Sequence, residues 1–514
     1  MNKYFSKEDQ AVILKRGLSM EKVLQQLQKL KEGTPPIHVA RACTINDGIQ
    51  VLDEVERHAK HYEQWAATAQ VVKFVPASGA ASRLFQPWYN LYDGLLKAQP
   101  TKSQEHEANL LMHMLPRLPF YTLLCELLAC KGYLLDKLIA QKAYTLILEN
   151  ILFKEGLGLG VLPKALIPFH VYKNNVRTAL EEHLVEGAYY ATSKGGIVYI
   201  HFTILVEHNQ AVEALIRRVK AVYEKALQVK YAITLSYQAA YTDTIVANAG
   251  VPCRTKTGEL LFHPGGHGTL LDDLNSLSVD LIFIKNIDNV ATDALVKPIS
   301  LYQKALAGYL LQVRETIFQY LRVLPQLHRK EQLDPAIAFL NDVLCCPLPE
   351  AVLLGDLSLL KITVFNKLNR PIRVCGMVKN KGREGGGPFW VKQADGSLAL
   401  QIVENTQLEL TEKRQKQIFQ SATHFNPVNI VCCTKDYQGR KFDLRQFKAE
   451  QAGLVTYKSI GGKKVQVLEY PGLWNGSMYN WNTIFVEVPL MTFNPVKEIT
   501  DLYEYPHTPE VMVD

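Results

Sequence analysis

The octet Pro76-Ala77-Ser78-Gly79-Ala80-Ala81-Ser82-Arg83 holds residue types suited to gripping a phosphate chain. It follows a short apolar run, Val71 to Val75, that reads as a strand. Small residues there let the backbone approach phosphates closely, and free N–H groups at a following helix start favour anions. Ala77, Gly79, Ala80 and Ser82 form the candidate cradle, and the planar guanidinium of Arg83 is a candidate clamp. A tight strand-to-helix turn without a ligand is the alternative reading of the same octet. Further along, Asp288 lies just past Leu281-Ile282-Phe283-Ile284, which reads as a fully buried strand. A carboxylate at such a tip is a hard oxygen ligand suited to Mg2+, which prefers carboxylate plus substrate phosphates. A helix cap or plain turn is the other use of an aspartate there.

Helices and strands must position these groups. Up to about Ala69 the chain reads as helical: Val23, Leu24, Leu27 and Leu30 recur at helical spacing, interrupted by Pro35-Pro36. Gln104 to Lys154 is helical again. Ile197 to Thr203 reads as a strand, Val212, Leu215, Ile216 and Val219 mark one helix face, and Tyr231 to Leu235 is the next strand. This alternation predicts a Rossmann-like α/β fold, a mixed and mostly parallel sheet with helices on both faces. Ligands in such sheets sit at the carboxyl ends of the strands. After a helical passage, Leu301 to Leu324, the chain becomes rich in short strands from about Leu353. The expected organisation is a helical segment 1–70, a nucleotide-binding α/β core 71–345 with a helical insertion 85–160, and a β-rich part 346–514 that continues the core.

With 514 residues the chain exceeds one ordinary core, and 47% hydrophobic with 21% charged residues is a globular balance. A net charge of +7 without a dense Lys/Arg tract suits a small anionic ligand as well as nucleic acid, and no nucleic-acid partner is expected. The nine cysteines include no Cys-x-x-Cys pair, which fits reduced thiols and offers no zinc site. The polar stretch Met1 to Gln10 reads as no secretory signal, and no apolar run reaches membrane-spanning length. A cytoplasmic location without membrane contact is the expectation.

Gly79-Ala80-Ala81-Ser82-Arg83-Leu84, taken with Pro163-Lys164-Ala165-Leu166-Ile167-Pro168-Phe169, resembles the split motif of sugar nucleotidyltransferases, a Gly-rich loop with Thr-Arg-Met followed by Pro-Lys. Residues 85–160 then stand as an insertion between its halves. Phe262-His263-Pro264-Gly265-Gly266-His267-Gly268 is similar to the uridine-facing loop of UDP-sugar pyrophosphorylases, and Asp280 to Val290 to their strand ending in Val-Asp-Asn. Gln401-Ile402-Val403-Glu404 resembles their Val-Glu-Tyr segment, Trp481-Asn482-Thr483 their Asn-rich strand, and Phe493-Asn494-Pro495-Val496-Lys497 their Leu-Pro-Val-Lys stretch. As a whole the chain resembles a bacterial family of pyrophosphorylase-like proteins with a domain of unknown function. That family carries Gly385-Gly386-Gly387-Pro388-Phe389-Trp390 and Ala422-Thr423-His424-Phe425-Asn426-Pro427. Ala81 stands where the loop usually has its second glycine, and Ser82 where it has threonine.

The resemblance implies a nucleotide-diphospho-sugar transferase fold and a metal-dependent nucleotidyl transfer. A sugar 1-phosphate attacks a nucleoside triphosphate, UTP foremost, and pyrophosphate leaves. Arg83, Lys164 and Lys497 are the implied catalytic cations, and Asp288 the Mg2+ ligand. Ala77, Gly79, Ala80, Ser82, Gln238, Gly266 and His267 are implied in nucleotide binding, and Asn289, Glu404 and Asn482 in sugar binding. A glycosyltransferase on the same fold and an inactive nucleotide-sugar-binding protein are the alternatives, since fold alone does not fix function.

Overall fold

The computed structural model describes residues 4–79, 81–97, 101–173, 175–382, 385–460 and 463–508. Ala80, one of the expected cradle residues, lies outside them. The chain divides into two compact units. The first comprises Met1–Val71, Tyr237–Phe283 and Gln303–Leu490, the second Val72–Ser236, Ile284–Tyr302 and Met491–Asp514.

The first unit opens with the helices Lys7–Lys15 and Met20–Glu32, whose first turns are capped by the hydroxyls of Ser6 and Ser19. Val23, Leu27 and Leu30 bury against Ile245, Ala247 and Leu468, whereas Leu24 is exposed, so the apolar stripe is narrower than its spacing suggests. The stretch to Ala69 is not helical throughout. After Pro35-Pro36 the β-branched residues Val39, Thr44, Ile45 and Ile49 fall in the strands Val39–Ala42, Thr44–Ile45 and Gly48–Gln50. Their partners lie far along the chain, Val39 opposite Val391 and Ile49 opposite Phe485, and such pairing leaves no local signature. The main strands of this unit lie in the order Thr44–Ile45, Gly48–Gln50, Asn482–Glu487, Ile372–Lys379, His424–Cys433, Leu281–Ile284. Ile372–Lys379 runs parallel to Asn482–Glu487 and antiparallel to His424–Cys433.

In the second unit the buried strand Val71–Pro76 runs parallel to Ile197–Ile204, which also pairs with Thr192–Ser193 and Lys230–Tyr237. The helix Ala179–Tyr190 starts at a reciprocal Thr178–Glu181 cap and is almost wholly buried. It carries Glu186 into the core, where the carboxylate meets Lys73 Nζ at 2.9 Å and pairs with Lys285. The stretch between the halves of the split motif forms the helices Gln86–Leu95, Lys102–Met114, Tyr121–Cys130, Leu135–Ala140 and Tyr144–Leu152, knit partly by Phe85, Trp88 and Phe120.

The architecture is therefore α/β, with mixed, mostly parallel main strands and flanking helices. The long helix Asp293–Val323 contains the predicted helical passage, and β-strands dominate from Ile372 onward. No helix among the described residues is long and apolar enough to cross a membrane. All nine cysteines are free thiols.

Candidate functional site

The strand Val71–Pro76 delivers its chain into the small-residue loop. Ala77 is buried, and its N–H extends the ladder to Thr203 O at 2.9 Å. Ser82 and Arg83 then lie in the short 3-10 turn Ala81–Arg83, with Arg83 exposed. The two halves of the split motif meet here: Lys164 N–H donates to Gly79 O at 3.2 Å, and Ala81 N–H to Leu162 O at 3.2 Å. A helical stretch of many turns separates them in sequence without separating them in space.

Lys164 is not a surface lysine. It is 9% exposed, and its ammonium donates to Asp288 Oδ2 at 2.9 Å and to Val496 O at 2.7 Å. Asp288 is reached because Lys285 and Ile287 extend past Leu281–Ile284 and donate to the carbonyls of Phe74 and Pro76. Val496 N–H in turn donates to Asp288 O at 3.0 Å, and Asn494 N–H to Asn289 Oδ1 at 2.8 Å. This short pairing brings Lys497 Nζ to the same Asp288 Oδ2, at 2.9 Å, on a side chain 57% exposed. Three segments distant in sequence thus converge on one carboxylate oxygen.

The electrostatics follow from burial. Burial alone pushes the Asp288 carboxyl up, but the two ammonium groups outweigh it and hold the group below the usual carboxylate range. Burial pulls the Lys164 ammonium down from its usual value, opposed by the charge of Asp288. Two ammonium groups on one carboxylate oxygen, with Asp501 accepting from Lys497 N–H at 2.7 Å, form a cation pair suited to a phosphate group. Asp288 Oδ1 takes no hydrogen bond from any described residue. Among the described residues no group of three or more His, Cys, Asp or Glu side chains is placed to hold a metal.

The side-chain amide of Asn289 is engaged at both ends, by Asn494 N–H and, at 3.4 Å, by Thr492 O. The remaining expected residues belong to the first unit. Gln238 follows the strand Lys230–Tyr237, and its buried amide nitrogen has no partner among the described residues. His267 is half-buried: its Nδ1 accepts from Leu473 N–H at 3.1 Å, and its ring lies 4.6 Å from that of Trp474. Burial pulls its imidazole down to about 4, so it is neutral. Gly266 has φ +78°, a conformation that favours glycine. Glu404 is half-buried, and burial together with Glu469 raises its carboxyl. Asn482 opens its strand, donates to Leu368 O at 3.1 Å, and lines a separate cavity.

Sequence reasoning missed a buried relay in the second unit. His170 Nδ1 lies 2.9 Å from Glu182 Oε1, and its Nε2 lies 2.8 Å from His507 Nδ1. His170 Nδ1–H donates to the carboxylate. With the bond from Thr292 Oγ1 to Pro506 O, this fastens the segment that carries Lys497. The sole signal was three polar residues in apolar surroundings.

The glycines sort by what surrounds them. A methyl group on Gly268 would collide with the Pro471 carbonyl, whereas one on Gly79 would meet nothing within 4 Å. Gly268→Ala is expected to cost roughly 1–3 kcal/mol of stability by overpacking. Gly79→Ala should leave the melting temperature unchanged and weaken binding of a nucleoside triphosphate. Equal melting losses in both variants would show Gly79 to be a packing residue.

A family described as Domain of unknown function (DUF4301) matches residues 6–508. No curated protein matches the sequence. Similar solved structures include a mutant UDP-glucose pyrophosphorylase from Leishmania major in complex with UDP-glucose, at 11% identity over 93% of this chain and 73% of that one, with a TM-score of 0.40. The UDP-N-acetylglucosamine pyrophosphorylase of Trypanosoma brucei in complex with an inhibitor is 11% identical over 97% and 79%, with a TM-score of 0.45. A UDP-glucose phosphorylase of the same organism is 12% identical over 96% and 76%, with a TM-score of 0.43. Likenesses this distant leave the function to be read from the chain's own site.

Proposed function

The chain belongs to the DUF4301 family, and we propose that it is a nucleotidyltransferase making a nucleotide sugar from a nucleoside triphosphate and a sugar 1-phosphate. The observation that carries this reading is the convergence of Lys164 and Lys497 on Asp288 beside the Gly79 loop. An oxygen of the sugar 1-phosphate attacks the α-phosphorus, that bond forms as the bond to the β-phosphate oxygen breaks, and pyrophosphate leaves in line. The attacking oxygen is already anionic at neutral pH, so the site needs no general base. Its task is positioning and charge neutralisation.

The residues divide that task. Lys164, held on Asp288 and Val496 O, is a pre-oriented cation that need not reorganise as charge shifts. Lys497, with more than half of its side chain in solvent, can swing from Asp288 to a phosphate oxygen. Arg83 supplies a second exposed cation from the loop. Asp288, whose Oδ1 neither lysine engages, would hold Mg2+, an ion that needs few protein carboxylates and would supply neutralisation of phosphate charge. UTP is the nucleotide proposed, as the resemblance to UDP-sugar pyrophosphorylases implies.

Lys497 gives the cleanest test. Losing one charge-assisted contact costs roughly 1.5–3 kcal/mol, about ten- to a hundredfold in turnover. Lys497→Ala should show that loss with a nearly unchanged melting temperature, because Lys497 lies mostly in solvent and Asp288 keeps Lys164 as its partner. Full activity in the variant would remove Lys497 from the reaction.

A further inference from the structure

We infer that the first unit holds a second ligand site, for a small phosphorylated anion, in the cavity at the amino ends of Ile372–Lys379 and Asn482–Glu487. The cavity encloses about 250 Å³, and its wall includes Lys367, Arg370, Asp395, Trp481, Asn482 and Thr483. Ile372 and Asn482 are the paired first residues of the two parallel strands, which fixes the end of the sheet concerned. Reaction ligands of open α/β sheets sit at the opposite, carboxyl ends. The site is therefore separate from the crevice of its own sheet, and it does not rest on the transfer reading.

The wall is rich in unspent donors. Arg370 is half-buried, its Nε donates to Asn366 O at 2.8 Å, and Asp395 acts on its charge without forming a salt bridge to it. Trp481 is 4% exposed, and its Nε1, which can only donate, has no acceptor among the described residues. Behind Thr483 lies Arg373, fully buried, with Nε donating to Thr483 Oγ1 at 2.9 Å and Nη1 to Trp474 O at 2.7 Å. Its Nη2 has no partner, and only thiols, no carboxylate, act on its charge.

Asp395 is the one acid on the wall. It stands 3.5 Å from Lys367 and accepts from Ser397 Oγ at 2.5 Å. Two cations on the wall, with the buried charge of Arg373 beyond Thr483, stand against this one acid, and such a positive excess is expensive without a counter-ion. An acceptor-rich anion suits such a wall, and arginine's planar fork favours phosphate. The volume falls below the roughly 300–1,000 Å³ of pockets for drug-sized ligands. A phosphate, free or carried on one sugar, fits better than a nucleotide.

Calorimetric titration of the full chain with inorganic phosphate, and separately with glucose 1-phosphate, tests the inference. A Lys497→Ala background weakens anion binding in the second unit. Binding should persist in that background, fall about tenfold or more with Arg370→Gln, and fall severalfold with Trp481→Phe, which keeps the ring and deletes the N–H. Tighter binding of the ester assigns the site to a sugar phosphate, and tighter binding of the free ion assigns it to phosphate. Should Arg370→Gln not fold, Trp481→Phe decides alone. Absence of binding in the background, or binding unchanged by the substitutions, overturns the proposal.

Discussion

Glu186→Gln is expected to destabilise the protein by about 3–5 kcal/mol, the cost of removing one partner from a buried ion pair. The carboxylate sits between Lys73, fully buried, and Lys285, 2% exposed. Burial already pulls the Lys73 ammonium down to about 8, despite the charge of Glu186. An amide of the same shape removes the only anion that both lysines share, and each must then stay charged without a counter-ion or lose its proton. The pH dependence has a definite sign. Burial would raise Glu186, but Lys285 and Lys73 outweigh it and hold the group at about 2, below its ordinary 4.5. The folded state therefore binds fewer protons between those values, so this contribution is complete above pH 4.5 and is lost as pH falls towards 2. In the variant that acid-side loss disappears, and the rise in stability as pH climbs through the depressed Lys73 value towards 10.5 grows. Denaturant titrations from pH 3 to 9 would measure both effects. A variant within about 1 kcal/mol of wild type at pH 7 would refute the charged-core account.

Asp288→Asn should lower turnover by about 10²–10³-fold, the scale on which a preorganised electrostatic contact acts. The amide keeps the shape, and Val496 N–H still finds the main-chain carbonyl of residue 288, so the pairing that carries Lys497 survives. What is lost is the charge that orients two ammonium groups and offers an oxygen to a cation. Burial already depresses Lys164, and without Asp288 beside it nothing opposes that depression as strongly. The variant should melt within a few degrees of wild type while its activity collapses. Wild-type turnover would leave Asp288 a structural anchor for its lysines and nothing more.

The elements around the site were legible because their signals are local. A β-branched run ending in small residues marks the strand Val71–Pro76 and its loop, and an apolar tetrad marks the strand before Asp288. The motif halves around Gly79 and Lys164 could be joined across a helical stretch because each half carries its own pattern. Burial was not legible. Nothing in Pro163-Lys164 distinguishes a surface lysine from one whose ammonium is fixed by Asp288 and Val496 O, contacts made more than a hundred residues away. The strands near Val39 and Ile49 were missed for the same reason, as was the trio of Lys73, Glu186 and Lys285. The loop Pro264 to Gly268 illustrates a converse difficulty. Its glycines suit a ligand, yet Gly265 and Gly268 lie tightly against Tyr470 and Pro471 of their own chain. Sequence alone does not tell these two uses of a glycine apart.

The central claim, nucleotidyl transfer at the Asp288 cluster, is tested most directly by product analysis. The purified chain would be supplied with Mg2+, each nucleoside triphosphate in turn and a panel of sugar 1-phosphates, with pyrophosphate and nucleotide sugar quantified together. The expected result is equimolar pyrophosphate and nucleotide sugar, fastest with UTP, and nearly abolished in Asp288→Asn. Consumption of a nucleotide sugar with release of nucleoside diphosphate, or saturable binding with no product across the whole panel, would contradict it.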